Sequence, residues 1–292
     1  MPADTQPTLV SYLRTLLVLG RVSNLPTVWS NCLAGWLLGG GGNWHLFTLL
    51  CLAATCLHAG GMFLNDAFDV EFDRRHRGER PIPARAITEA EVWRLGTLWL
   101  GVGMFLLIVT NRTAASLGVV LLACILLYNV VHKFVGWAPL LMAACRFFLY
   151  LTAAATGDAG VTGHAMWGAF ALAFYIAGLS FVARVESTGG VASHWPLLLL
   201  ATPVGLAMVV NGGEFALNAT LLSCLLLSWL LHSLGPLLSR EKRDVGAGVS
   251  RLLAGIVLVD LLAVADAPVE LGAGFLVLFL LALLFQRFIP AT

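Results

Sequence analysis

WHLFTLLCLAATCLHAGGMFLNDAFDVEFD, residues 44–73, is an apolar run that ends in the polar cluster Asn65, Asp66, Asp69, Glu71 and Asp73. An apolar stretch of about 20 residues is what a helix needs to cross a bilayer, so the acids stand where such a helix leaves the lipid. On a helix, Asn65, Asp69 and Asp73 fall at i, i+4 and i+8, and Asp66 lies three before Asp69, so these side chains share one face. Carboxylates held this close repel one another unless a cation sits between them. Hard oxygen donors at this spacing suit Mg²⁺, and a Mg²⁺ at a membrane boundary suits a diphosphate ligand. The plainer alternative is a solvated helix end whose acids pair with Arg74, Arg75, Arg77 and Arg80.

Composition places the chain in a membrane. Hydrophobic residues make up 59% and charged residues 11%, far below the roughly 25% charged residues of a soluble domain. The expected fold is all-α, a polytopic transmembrane helical bundle of nine or ten spans, with residues 1–292 forming one integral-membrane domain. The candidate spans are Val22–Gly40, Trp44–Leu64, Val92–Thr110, Ala114–Val131, Gly136–Thr156, Ala165–Ala183, Trp195–Val210, Phe215–Leu238, Leu252–Ala265 and Leu271–Ile289. With the N-terminus inside, Arg14, Arg21, the arginines from 74 to 85, Arg94, Lys133, Arg184, Arg240, Lys242, Arg243, Arg251 and Arg287 all fall on the cytoplasmic side. Only Arg112 then lies in an outer loop, and this bias puts the acidic cluster at the cytoplasmic face of an inner membrane. No nucleic-acid patch is visible. The six cysteines lie in apolar stretches without C-x-x-C spacing and read as small buried side chains. Met1 to Gly20, interrupted by Arg14 and without a small-residue cleavage pattern, does not read as a cleaved signal peptide.

Three further polar groups return to the acidic side. The longest polar connection runs from Asn65 to about Glu91; Pro81 and Pro83 stiffen it, and Thr88 with Glu91 forms a capping box for the next helix. Such a connection can hold Arg77 and Arg80 over the acids. After the fourth span come Tyr128, Asn129, His132 and Lys133, where a lysine can hold a phosphate oxygen as a point charge. After the sixth come Arg184, Glu186, Ser187 and Thr188. Arg21, Asn24, Pro26 and Asn31 form another polar group at the first span. Arg146, one turn before Tyr150, lies within a span, where an isolated cation is costly and faces a polar interior. Phe147, Phe148 and Tyr175 are candidates to line an apolar cavity.

These residues resemble the UbiA-type intramembrane prenyltransferases, whose first signature, N-D-x-x-D-x-x-x-D after the second span, reads here Asn65, Asp66, Asp69, Asp73. The family's following arginines resemble Arg74, Arg77 and Arg80-Pro81-Ile82-Pro83, and its Tyr and Lys after the fourth span resemble Tyr128 and Lys133. The resemblance implies a Mg²⁺-dependent transfer of a polyprenyl group from a polyprenyl diphosphate donor to a small or lipid acceptor of unknown identity within the membrane, with membrane lipids as the surrounding partners. Asp66, Asp69, Asp73 and Lys133 are then catalytic. Asn24, Asn65, Arg77, Arg80, Tyr128, Arg146, Arg184 and Glu186 bind substrate, and Asn65, Asp66, Asp69, Asp73 and Glu186 are the metal ligands. The chain departs from the family where a second acidic motif follows the sixth span. It has Ala183-Arg184-Val185-Glu186-Ser187, and Ala84-Arg85-Ala86 where a Ser-Gly-Arg-like run is common. These departures resemble the EboC-like members. An alcohol phosphatidyltransferase lacks support because its D-G-x-x-A-R opening is absent, and no internal repeat suggests a transporter. A non-catalytic isoprenoid or lipid carrier on the same scaffold is the remaining alternative.

Overall fold

A computed structural model of the protein describes residues 9–188, 195–211, 215–238 and 244–291. Eleven α-helices and one short 3₁₀ turn account for the regular structure among them. The helices are α1 (Leu9–Leu19), α2 (Leu25–Leu38), α3 (Trp44–His76), α4 (Glu89–Thr110), α5 (Arg112–Val131), α6 (Ala138–Ala154), α7 (Gly163–Thr188), α8 (Trp195–Val210), α9 (Ala216–Leu238), α10 (Val245–Ala263) and α11 (Val269–Gln286), with the turn Val22–Asn24 leading into α2.

The ten apolar stretches of the sequence correspond to α2 through α11. By length and apolarity α3, α4, α5, α7, α9, α10 and α11 are able to cross a membrane, whereas α6 and α8 are shorter. Helix α2 has only 14 residues, about 21 Å at 1.5 Å per residue, and is almost wholly buried. Other helices cover most of it, so it tolerates Thr27, Ser30 and Asn31, all fully buried polar residues. Leu98, Phe105, Ile108, Leu231 and Leu280 point outward from the other helices, the surface that hydrocarbon covers in a membrane.

Three boundaries differ from the sequence reading. Helix α3 continues through the acidic cluster to His76, because residues 65–76 contain neither Gly nor Pro; the polar connection is therefore confined to residues 77–88. Helix α10 begins at Val245, seven residues before the expected Leu252, where the Asp244 side chain accepts from the Ala247 amide and caps it. An additional helix, α1, precedes the first apolar stretch, and its Tyr12, Leu16 and Leu19 pack on Phe63 and Val70 of α3 and on Ile82 and Ile87. The same cluster anchors the arginine-bearing connection from below. The capping box is present, with Thr88 and Glu91 exchanging their side-chain and backbone bonds.

Cys32 and Cys56 are buried, as expected, while Cys224 is exposed on α9. Tyr175 is fully buried and its hydroxyl donates to the Leu252 carbonyl at 2.8 Å, tying α7 to α10. Arg85 takes a left-handed φ of 59°, in the segment where the resembling family commonly carries glycine.

The most extensive helix pair is α3 with α4, and it depends on small residues. A Cβ at Gly60 would lie 2.8 Å from the Gly96 carbonyl oxygen and 2.8 Å from Leu100 Cγ. Gly60→Val is expected to separate these helices and lower the thermal unfolding midpoint in detergent. Arg85→Gly is expected to raise it slightly, by relief of about 1 kcal/mol of left-handed strain.

Candidate active site

Helix α3 carries Asn65, Asp66, Asp69 and Asp73 to one end of the bundle. Asn65, Asp66 and Asp73 are 6%, 5% and 3% exposed, which no solvated helix end would show. The plainer alternative holds only for the opposite face. There Arg74 pairs with Glu71 at 3.2 Å and with Glu89 at 3.1 Å, and Arg75 lies 3.6 Å from Glu71. The aspartates take other partners.

Arg21, in the left-handed region at φ 42°, sends its guanidinium across to α3. Nη2 donates to Asn65 Oδ1 at 3.1 Å and lies 3.5 Å from Asp66 Oδ1. Backbone strain of this kind costs about 1–3 kcal/mol and persists where surrounding contacts hold it. Asn65 Nδ2 donates to Asn129 Oδ1 of α5 at 3.1 Å, and Asn129 Nδ2 donates to the Gly61 carbonyl at 3.2 Å. The Asn65 oxygen is thus turned to Arg21 by its own amide.

Past the end of α5, Lys133 Nζ and His132 Nε2 approach Asp69 Oδ1 at 2.7 and 3.2 Å. Lys133 closes an ion pair with Asp69, and the His132 ring nitrogen stands within contact distance of the same oxygen. Lys133 Nζ also stands 4.5 Å from the Phe72 ring centre, and Tyr128 stacks on His132 at 5.0 Å. The charge of Arg80 bears on Asp66 and Asp73 and that of Arg77 on Asp73. Arg184 Nη1 donates to the Val135 carbonyl in the α5–α6 connection at 2.7 Å, and its charge, with those of Arg21 and Asp69, bears on the Tyr128 hydroxyl.

Two expected residues sit apart from this group. Asn24 is buried against the C-terminal segment, with Nδ2 donating to the Ala291 carbonyl at 2.9 Å. Arg146 lies deeper, bonded to α2. The Glu186 side chain lies outside the described residues. A hollow of about 390 Å³, open space included, is lined by His164, Pro203, Asn211 and Ala263 at the opposite end of the bundle. It is remote from the acids.

Asp73 Oδ1 is a buried oxygen with no hydrogen-bond partner, a hard donor of the kind Mg²⁺ takes. The donor chemistry fits such an ion. Among the described residues, however, no three His, Cys, Asp or Glu side chains are gathered closely enough to hold a metal as they stand, since Asp66 turns to Arg21 and Asp69 to Lys133. Arg21, His132 and Asn129 escaped the sequence-based site assignment. Their signal was position alone, at the same ends of α2 and α5 as Lys133.

The fold and site define an intramembrane helical bundle with alternating cations and carboxylates at one end. The chain belongs to the UbiA prenyltransferase family, whose sequence profile matches residues 24–259; that match is to the family as a whole and singles out no subgroup. It is 28% identical over 138 residues to a mitochondrial 4-hydroxybenzoate polyprenyltransferase of Aedes aegypti, covering 47% of this chain and 30% of that protein. It is 29% identical over 134 residues to a 4-hydroxybenzoate octaprenyltransferase of Edwardsiella ictaluri, covering 43% and 45%. The matched stretch thus spans less than half the length of either relative. A UbiA homolog from Aeropyrum pernix K1 superimposes with a TM-score of 0.66 at 20% identity, covering 86% of this chain and 97% of that one. One from Archaeoglobus fulgidus bound to GPP and Mg²⁺ gives 0.63 at 16% identity, covering 92% and 99%. These structures share the fold.

Removing one partner of a buried ion pair leaves the other charge uncompensated, at a cost of about 3–5 kcal/mol. Arg21→Ala is therefore expected to lower the unfolding midpoint in detergent, and Asp66→Asn added to it is expected to restore part of the loss. An unchanged midpoint in the single variant would show that the pair contributes nothing.

Proposed function

We propose that the protein transfers a polyprenyl group from its diphosphate to an acceptor inside the bilayer, in a Mg²⁺-dependent reaction. The observation that carries this reading is the packing of Lys133, His132 and Arg21 directly onto Asp69 and Asp66 at the mouth of an apolar bundle. Both charges are what a metal-bound diphosphate requires, since its oxygens need cations and its metal needs carboxylates. The positive-inside bias supports a cytoplasmic orientation for this mouth, in a cell inner membrane.

In the transfer, the bond between the allylic C1 and the diphosphate oxygen breaks, and its electron pair leaves with the diphosphate. The acceptor's nucleophilic atom bonds to C1 and gives up a proton. Lys133, Arg21, Arg77 and Arg80 act on the leaving oxygens, where charge grows as the bond lengthens, and stabilisation placed there lowers the barrier. Arg184 and Tyr128 border the same space. Asp66, Asp69 and Asp73 would hold the metal, with Asn65 and Glu186 as further oxygen donors; when bound, Mg²⁺ supplies Lewis-acid neutralisation of the diphosphate. The apolar helices below exclude water from the allylic cation and accommodate the isoprenoid tail. Asn24 supports α2 from the C-terminal segment and acts on substrate indirectly.

The 4-hydroxybenzoate prenyltransferases among the relatives and the homolog structure with GPP and Mg²⁺ support this reading. Diphosphate release from farnesyl or geranylgeranyl diphosphate, given Mg²⁺ and 4-hydroxybenzoate or a membrane-lipid extract, tests it. The expected result is a prenylated product whose rate of formation falls about a hundred- to a thousandfold in Asp69→Ala, the scale of removing a charge stabiliser at a reacting centre. Mg²⁺-dependent donor binding without consumption across the acceptor panel would instead establish a carrier.

A further inference from the structure

Helix α1 has a covered side and an open one. Tyr12, Leu16 and Leu19 pack on Phe63 and Val70 of α3 and on Ile82 and Ile87 of the connection that follows it. Leu9, Leu13, Leu17 and Val10 share a sector about 100° wide next to that face, at 3.6 residues per turn. They are 73%, 50%, 44% and 77% exposed. Arg14 stands at the far edge of this sector and is exposed too. Residues 81–87, on which α1 rests, form a tight turn. The Arg85 amide bonds to the Ile82 carbonyl and the Ala86 amide to the Pro81 carbonyl, both at 3.0 Å, and Arg85 is held at φ 59° with its side chain exposed. Glycine takes that φ without strain, so the turn itself does not call for an arginine.

Packing of the bundle accounts for one side of α1 alone. An isolated helix of 11 residues is marginal in water, and water on the open side would meet four apolar side chains in a row. Hydrocarbon does not suit that side either, because Arg14 and the exposed Ser11 lie on it. The boundary between lipid headgroups and acyl chains offers both environments at once. Charge settles what kind of lipid fits. Residues 9–19 and 81–88 contain two arginines and no acid, and among the described residues neither Arg14 nor Arg85 takes part in an ion pair.

We propose that α1 and the Arg85 turn form a docking surface for anionic phospholipid. Leu9, Val10, Leu13 and Leu17 enter the headgroup boundary, and Arg14 and Arg85 extend along it to lipid phosphates. Each arginine near a negatively charged lipid surface favours docking about fivefold. Helix α1 runs through Gly20 directly into Arg21, whose guanidinium meets Asn65 and Asp66. Docked lipid therefore steadies the segment that delivers Arg21 to α3. The surface stands apart from the acids, and the inference does not depend on the reaction proposed for them.

The test follows amide hydrogen exchange across residues 9–19 in the full chain, in nanodiscs of phosphatidylcholine with and without phosphatidylglycerol. Exchange is expected to be at least about fivefold slower in the anionic discs. That difference is expected to shrink in Arg14→Gln and in Arg85→Gly and to vanish when the two are combined. Arg85→Gly removes backbone strain, and its thermal unfolding midpoint shows that a lost difference is not a lost fold. Leu13→Ser with Leu17→Ser is expected to speed exchange in both kinds of disc. Equal exchange in the two discs, a difference unchanged in the combined arginine variant, or exchange indifferent to the serine substitutions would overturn the inference. So would protection that rises with the number of protein chains per disc whatever the lipid charge, since a second copy would then cover the stripe.

Discussion

Buried aspartates and cations hold one another in place at one end of the bundle. Asp69 with Lys133 and His132, and Asp66 with Arg21, join α3 to the end of α5 and to the turn before α2. Each group alone would be costly so close to hydrocarbon. Together they are nearly neutral and keep oxygens and nitrogens within reach of any ligand that can exchange one partner for another. Asp66 turns to Arg21 and Asp69 to Lys133, and among the described residues the carboxylates are not gathered around one point.

The bundle makes that arrangement possible by separating two kinds of helix. Long apolar helices such as α4, α5 and α11 face outward, with little of their surface buried, and satisfy their own backbone groups as hydrocarbon requires. The short α2 is mostly buried and carries several buried polar side chains. Thr27, Ser30 and Asn31 on α2 give Arg146 and Asp260 their partners. A second polar layer is thereby fixed beneath the acids. The contacts between Ser23 or Asn24 and the carbonyls of Pro290 and Ala291, at 3.3 and 2.9 Å, close the bundle by tying its last segment to its first turn.

Much of the fold was legible because apolar length and the placement of Lys and Arg are local properties of the chain. The i, i+4, i+8 spacing from Asn65 to Asp73 likewise fixed one face of α3 without tertiary knowledge. Residues whose meaning depends on distant partners were not legible. Arg21 belongs by sequence to a polar group at the first span, but its partner Asp66 lies 45 positions away, and the bond from the Asn24 amide to the Ala291 carbonyl has no local signal either. Asp260 is a lone acid in a late apolar stretch whose partners lie on α2. Arg184 stands where an acid was expected from the family's pattern, and its bond to Val135 keeps it beside Lys133 and Tyr128, which sequence spacing had no means to give.

In the proposed transfer, an arriving diphosphate would take Arg21 and Lys133 from Asp66 and Asp69. Manganese binding, followed by the electron paramagnetic resonance of free Mn²⁺, tests this with and without inorganic diphosphate. The account predicts weak binding to the protein alone and at least about tenfold tighter binding when diphosphate is present, in excess of the affinity of diphosphate itself for the ion. Equally tight Mn²⁺ binding in its absence would contradict it, because the carboxylates would then be available without any exchange of partners.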